Sequence, residues 1–342
     1  MDVKEIVNKN SWNEALQSFE NVPFTQSWEW GEILIGEGKK VYRLVVEEER
    51  KVCAAAQMVE NGFGVFKYGF CPKGPMFAKV STQKKEALAL MVGFLKKQGA
   101  MLFRVEMESV FLNEGLLKTI DINPRATTVL DLNISEVDLM AKMHSKTRYN
   151  INLAGKKELV IKNEKNWEAF WGLMKKTGER DGFRLHDEKH YREILNSATS
   201  IQLTAFIKGA PIASVVLFGF GNTLTYLFGA SDYQHRKLMA PQLLQWEGIR
   251  LGKERGYESY DFFGIAPHRM SDVGSRKSDP ISDIRDLKSE YEYDEEHQYA
   301  GVTRFKLGFG GEVAERPGTY DLIISPGKYK MYQVLRKIRR WV

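Results

Sequence analysis

Apolar and polar positions follow the same order of periods in two separate stretches of the chain. The first reads as strands over 42–48, 51–60 and 64–68, the turn Cys71-Pro72-Lys73-Gly74-Pro75, a helix over 82–98 and a strand over 101–107. The second reads as a helix over 167–177, strands over 201–208, 210–219 and 223–230, a helix over 241–255 and a strand over 257–263. Each is an antiparallel meander followed by a helix and one more strand, so two copies of one α/β module are the simplest account. Between them Ser135 is placed to cap a helix that runs over 138–153. A boundary there divides the chain into a first domain, 1–134, and a second, 135–342. Residues 301–312, GVTRFKLGFGGE, read as an alternating, strand-like run centred on Phe305-Lys306 and ending in glycines. Residues 270–298 are charge-rich, contain Pro280, and read as a long exposed loop.

Length supports the two-domain division, because 342 residues exceed what one core usually serves. The longest apolar run, 205–221, is broken by Lys208, Pro211 and glycines and falls short of a spanning helix. The N-terminus opens with charges and lacks a secretory signal, which places the protein in the cytoplasm as an expectation. Cys53 and Cys71 lie in strands without a CxxC spacing and read as reduced core thiols.

Charge changes the picture more than composition does. The net charge is +6, and the tail 328–342 holds Lys328, Lys330, Arg336, Lys337, Arg339 and Arg340 with no acid, so the rest of the chain is balanced. Met331, Val334, Leu335, Ile338 and Trp341 recur at helical spacing, which predicts a basic amphipathic helix. Such a helix suits an anionic partner, whether RNA backbone, phospholipid head groups or a phosphorylated substrate. A packed helix with a solvated basic face is the plain alternative.

A meander followed by helix and strand is the acetyltransferase-type arrangement. In those enzymes a loop R/Q-x-x-G-x-G/A offers bare amides to a pyrophosphate at a helix N-terminus. Here Met239 stands where the first glycine would be and Pro241 where the last would be, so coenzyme A is a poor candidate donor. There is no GxSxG, HExxH or GxxxxGK[ST]. His186 and His190 are four apart but lack a third ligand at a sensible spacing. A transferase using neither metal nor ATP is favoured.

Seven pieces stand in order along the chain: Gln26-Ser27-Trp28-Glu29-Trp30-Gly31, Pro72-Lys73-Gly74-Pro75, Lys146-Thr147-Arg148-Tyr149-Asn150-Ile151, Met239-Ala240-Pro241 through Leu244-Gln245-Trp246, Tyr260-Asp261-Phe262-Phe263-Gly264, Gly301-Val302 and Phe305-Lys306. In that order and spacing the chain resembles, over nearly its whole length, the FemABX family of tRNA-dependent peptidoglycan aminoacyltransferases. The resemblance implies an α/β fold of two tandem acetyltransferase-like (GNAT) domains. The helical hairpin arm of some members is absent, since the interval 156–200 is too short for one. It also implies transfer of an aminoacyl group from aminoacyl-tRNA, as co-substrate and without another cofactor, onto the stem-peptide amine of a UDP-muropeptide or lipid II. A monomer, cytoplasmic or peripheral at the inner membrane face, is expected.

The residues expected to do this are Lys306, stabilising an oxyanion or meeting a substrate phosphate, and Phe305, excluding water. Arg236 is expected to hold a substrate diphosphate, with pairing to Asp232 as the alternative. Tyr260 is expected to reach the muropeptide, with a core tyrosine as the alternative, and Trp30 and Lys73 to line the first domain's wall. Lys146 and Arg148 are expected to meet tRNA phosphates, with a solvated helix as the alternative. No residue reads as a convincing general base. A coenzyme A-dependent N-acyltransferase and a noncatalytic RNA- or membrane-binding protein on the same fold are the competing readings.

Overall fold

The structure, a computed structural model, describes residues 1–78, 83–111, 115–268 and 291–339, with side chains to residue 335. In chain order the elements are β1 (Asp2–Glu5), α1 (Lys9–Leu16), α2 (Trp28–Gly36), β2 (Val41–Glu48), β3 (Lys51–Phe63), β4 (Phe66–Cys71), β5 (Met76–Phe77), α3 (Lys84–Lys97), β6 (Leu102–Val105) and β7 (Leu116–Lys118). There follow β8 (Ala126–Asp131), α4 (Glu136–Lys142), α5 (Ser145–Gly155), β9 (Val160–Asn163), α6 (Trp167–Asp181), α7 (Glu188–Asn196), β10 (Ser200–Ile207), β11 (Ala210–Phe220) and β12 (Thr223–Ser231). The chain closes with α8 (Ala240–Glu254), β13 (Ser259–Asp261), α9 (Ala300–Leu307), β14 (Glu312–Glu315), β15 (Tyr320–Ile323) and α10 (Pro326–Arg339).

Contacts divide these elements into two units, which a single cut at 134 does not reproduce. One comprises Met1–Asn123, Asp187–Ser197 and Arg316–Val342; the other comprises Pro124–His186 and Ala198–Glu315. The first unit's sheet has the order β1-β2-β3-β4-β6-β15-β7, with β5 on β3. The second's has the order β14-β8-β13-β12-β11-β10-β9. The internal likeness is topological. Each sheet is antiparallel except for one pair, β4 with β6 and β12 with β13, and in each case a helix makes the crossover. In each, the strand after the crossover also accepts an antiparallel neighbour from elsewhere in the chain: β15 beside β6 and β8 beside β13.

Buried long-range polar bonds tie the start of α2 to the first unit's sheet. The Gln26 side chain accepts from the Gln57 amide at 2.7 Å and donates to the Pro72 carbonyl at 2.7 Å, while the Gln57 amide group donates to Thr25 and Ser27 carbonyls. Gly31 makes room for this: a Cβ there would lie 2.2 Å from both Arg43 and Gln57 side chains. The Gln26 to Gly31 stretch therefore acts as a buried clamp between α2 and the sheet. Cys53 and Cys71 are buried free thiols on β3 and β4, as expected.

Three expectations are corrected by the backbone. Residues 301–312 are not a strand: Ala300–Leu307 is helical. Val302, Phe305 and Phe309 are spaced by three and four, which suits a helix face, and Gly310 and Gly311 stop it with φ of +83° and +96°. The helix expected over 138–153 is two helices, broken where Met143 and His144 are extended (ψ 151° and 141°). Met143 turns into the core there, and the His144 side chain caps α5 by accepting from the Lys146 amide. Ser135 caps α4, accepting from the Asp138 amide, as expected. Finally, α7 and the C-terminal β15, which periodicity did not assign, both belong to the first unit. The interval 156–200 holds β9, α6 and α7 and no hairpin arm. The loop expected over 270–298 lies outside the described residues up to 290, and the tail does so from 340. Among the described residues, no helix is long and apolar enough to cross a membrane.

Candidate active site

At the end of β13 the chain makes two consecutive left-handed residues, Phe263 (φ +48°) and Gly264 (φ +56°). Their carbonyls turn toward α9, and the Lys306 ammonium donates to both, at 2.8 Å to Gly264. A Cβ on Gly264 would stand 2.9 Å from Pro124 Cγ, so this position needs glycine for space as well as for φ. One turn earlier on α9, Thr303 accepts from the Ala266 amide and donates to the Tyr299 carbonyl, both at 2.7 Å. Thr303 and Lys306, three apart, thus pin one helix face to the segment after β13.

Lys306 is 7% exposed, and its amine stands 5.3 Å from the centroid of the Tyr226 ring. Burial disfavours the charged form and lowers its pKa to about 7; the Asp261 carboxylate acts in the opposite direction. Asp261 is itself oriented by the Thr127 hydroxyl and the Phe263 amide, the latter at 2.8 Å. Burial also raises the pKa of the Tyr226 phenol, keeping it neutral. An ammonium has three donors. Two are held by carbonyls, and among the described residues the third N–H of Lys306 has no acceptor. The same position carries a lone pair when the amine is neutral. The arrangement can donate to an oxyanion in one protonation state and accept a proton in the other.

A second feature of this unit lies at the N-terminus of α8. A pocket of about 430 Å³ is lined by Arg180, Tyr233, His235, Arg236, Lys237 and Pro241, among others. Met239 is left-handed (φ +53°) and offers no side-chain cap, and Pro241 has no amide hydrogen to offer in the first turn. The pocket's positive charge therefore comes from side chains and less from backbone amides. Arg180 is engaged by Asp181 through two bonds of 2.6 Å. Arg236 lies over the Tyr233 ring at 4.1 Å, is exposed, and has no carboxylate partner among the described residues. Asp232 holds Lys176 at 2.7 Å and does not pair with Arg236. From Tyr226 to Ser231, β12 connects the lysine site to this pocket over roughly 16 Å of extended chain.

The other expected residues sort differently. Tyr260 does not face a crevice: it is fully buried and its hydroxyl donates to Gln245 Oε1 at 2.7 Å, so it is a core tyrosine. Phe305 does not wall the lysine. It packs into the second unit's core, its ring 5.4 Å from Phe309, because it lies on the helix face next to the one bearing Lys306. Arg148 is partly committed to structure, donating to the Met143 and Ala141 carbonyls at the end of α4, while Lys146 is exposed on α5. In the first unit, Trp30 packs edge-on to Phe24 at 4.9 Å. Lys73 sits at φ +51° with its amide donating to Glu106 Oε2 at 3.1 Å. Sequence reasoning missed Asp261, Thr303 and Tyr226. Strand alternation offered a signal for the first: with Tyr260 and Phe262 inside, Asp261 must point the other way.

A fold with two antiparallel meanders, each closed by one helix crossover to a parallel neighbour, defines a tandem GNAT-like protein, and its second unit holds a buried lysine among backbone carbonyls. The FemAB family model matches residues 106–198 and 198–337, and the chain belongs to that family. Relatives include a lipid II:glycine glycyltransferase of Staphylococcus epidermidis, 22% identical over 293 residues, covering 66% of this chain and 64% of that protein. One of Staphylococcus haemolyticus is 20% identical over 296 residues, with the same coverage. The chain thus spans a little under two thirds of the length of these curated relatives. Among solved structures, FemX matches with a TM-score of 0.75 at 17% identity over 97% of this chain and 99% of that one. A tandem GNAT protein from the clavulanic acid pathway matches with a TM-score of 0.53 at 10% identity over 95% and 99%. These likenesses show the fold.

Proposed function

We propose that the protein is an aminoacyltransferase that moves an amino acid from aminoacyl-tRNA, as co-substrate and with no other cofactor, to the stem-peptide amine of a peptidoglycan precursor. The observation that carries this reading is the Lys306 ammonium, held by two carbonyls with one N–H to spare in a buried site. An aminoacyl ester is already activated, so the reaction needs alignment, removal of one proton and stabilisation of a tetrahedral oxyanion. The acceptor nitrogen attacks the ester carbonyl, and the carbonyl oxygen becomes the oxyanion facing the third N–H of Lys306. Before this attack the acceptor ammonium sheds one proton to a side chain of the substrate. After it the bond to the ribose 3′ oxygen breaks, and that oxygen takes the second proton, the one the attacking nitrogen loses as the amide forms.

The names of the relatives, lipid II:glycine glycyltransferase, support a lipid II-type precursor and an acyltransferase chemistry. Arg236 over the α8 pocket supports a phosphate-bearing substrate, since a guanidinium without a carboxylate partner can hold two oxygens at once. Exposed Lys146 on α5 supports sequence-independent contact with tRNA phosphates. A coenzyme A donor is disfavoured by Met239 and Pro241 at the place where bare amides would be needed.

The test is transfer of a labelled amino acid from a mixture of charged tRNAs to a lysine-containing UDP-muropeptide and to lipid II. Transfer that falls by about a thousandfold in Lys306→Met while muropeptide binding persists is the expected result. Acyl transfer from acetyl-coenzyme A alone would overturn the reading.

A further inference from the structure

α10 has two apolar faces, and the fold uses only one of them. Tyr329 and Tyr332 lie on the first unit's sheet, packed with Phe66, Met101 and Leu102; the Tyr332 ring is 6.3 Å from Phe66 and 6.5 Å from Tyr68. Met331, Val334 and Leu335 are 60%, 57% and 40% exposed. At about 100° per residue these three fall on the side of the helix opposite the two tyrosines, with Lys328 and Lys330 on its two flanks. The sequence that continues the helix brings Arg336, Lys337 and Arg339, and no acid occurs between 328 and 342. Beside the helix, Phe63 pairs in register with Phe66, their rings 5.5 Å apart, so it belongs to the sheet face on which α10 lies. Phe63 is 48% exposed and Val65, at the tip of the same hairpin, 64%.

We propose that α10, together with the β3–β4 hairpin tip, docks the protein on an anionic lipid surface. The helix axis lies in the plane of the interface, with Met331, Val334 and Leu335 at the acyl boundary and Lys328 and Lys330 among the phosphates. Charge complementarity selects this occupant. An RNA strand would meet the basic residues but has no use for an aliphatic stripe. A second copy of the chain would bury the stripe only by bringing two all-basic flanks together. A bilayer rich in phosphatidylglycerol satisfies the stripe and both flanks at once. Docking here requires no transfer chemistry, so it stands or falls separately from the proposed reaction.

The experiment is cosedimentation of the full chain with vesicles of phosphatidylglycerol and phosphatidylcholine, and with phosphatidylcholine alone. The expected result is binding to the anionic vesicles that weakens with salt and falls by about tenfold or more in Met331→Ser/Val334→Ser/Leu335→Ser. Lys328→Glu/Lys330→Glu should remove the preference for anionic lipid, and thermal unfolding should be unchanged in both variants. As an independent readout, Val334→Cys carrying an environment-sensitive dye should shift its emission to the blue with anionic vesicles. A wild-type chain that stays in the supernatant, or a dye that stays in water, overturns the proposal. So does a triple variant that binds as well as wild type, one that loses tRNA binding instead, or one that only dissolves a dimer.

Discussion

Arg104 and Asp321 meet through two bonds of 2.6 and 2.8 Å, although 217 residues separate them in the chain. Both side chains are buried, at 4% and 1% exposure, and they join β6 to β15, which enters the first unit's sheet from the far end of the sequence. Removing one partner leaves the other charge without compensation inside the protein. Asp321→Asn should destabilise the first unit by about 3 kcal/mol and lower its unfolding temperature by roughly 5–10 °C. Arg104→Met/Asp321→Leu should recover most of that loss in the same thermal or urea measurement.

The lowered pKa of Lys306 sets a pH dependence whose sign can be worked out. Its pKa is about 7 in the fold against 10.5 for a free lysine, so the unfolded chain binds more protons between those values and stability rises with pH across that window. Lys306→Met should therefore stabilise the protein more at pH 6 than at pH 10, as read by urea unfolding at the two values.

Catalysis has the opposite dependence on the same group. If the protonated lysine stabilises the oxyanion, its contribution to kcat/KM falls as pH rises through about 7. The Asp261 carboxylate favours the charged form, so Asp261→Asn should move this alkaline limb to lower pH. An alkaline limb in the same place in both proteins, with Lys306→Met as the baseline, would count against the assignment. Activity that instead rises through pH 7 would assign Lys306 as the base.

Gly264 tests the carbonyl cradle while leaving the lysine side chain itself unchanged, although an added Cβ would stand 4.0 Å from its Nζ. Gly264→Ala forces a side chain into φ +56° and toward Pro124 at 2.9 Å, at a cost of about 1–2 kcal/mol in strain. The carbonyl that anchors Lys306 must shift, and kcat should fall by about tenfold or more with KM nearly constant, measured with saturating charged tRNA.

Arg236→Met should separate binding from chemistry. The side chain is exposed and makes no ion pair among the described residues, so stability should change by less than about 0.5 kcal/mol. KM for the phosphate-bearing substrate should rise about tenfold with little change in kcat, and Arg236→Lys should recover only part of it because it loses the two-pronged geometry.

Most of the strands of the two meanders were legible because short, largely apolar runs over β2, β3, β10, β11 and β12, bounded by turn residues, are a local property of the chain. The helix around Lys306 was not, because Thr303 to Lys306 reads equally as a short alternating run; distant partners favour the helical period, namely the Ala266 amide at Thr303, the two carbonyls at Lys306 and Phe262, 5.2 Å from Phe309. Choosing Tyr260 over Asp261 failed for a related reason. The two are neighbours on one strand, and which of them faces the core depends on what the sheet packs against.

By itself, the sequence determined the module order, the capping Ser135, the substitutions at Met239 and Pro241 and the concentration of charge in the tail. Each of these depends on residues close together in the chain, where backbone sterics and spacing act directly. Only the tertiary structure decided that β15 and α7 serve the first unit, that Lys306 meets two carbonyls from positions 42 and 43 residues away, and that Tyr226 lies beside its amine. The stripe of Met331, Val334 and Leu335 shows both at once: its spacing is written in the sequence, but its exposure follows from Tyr329 and Tyr332 taking the sheet. Long-range packing chooses which of several locally acceptable faces is buried, and that choice sets both the lysine's pKa and the surface left to solvent.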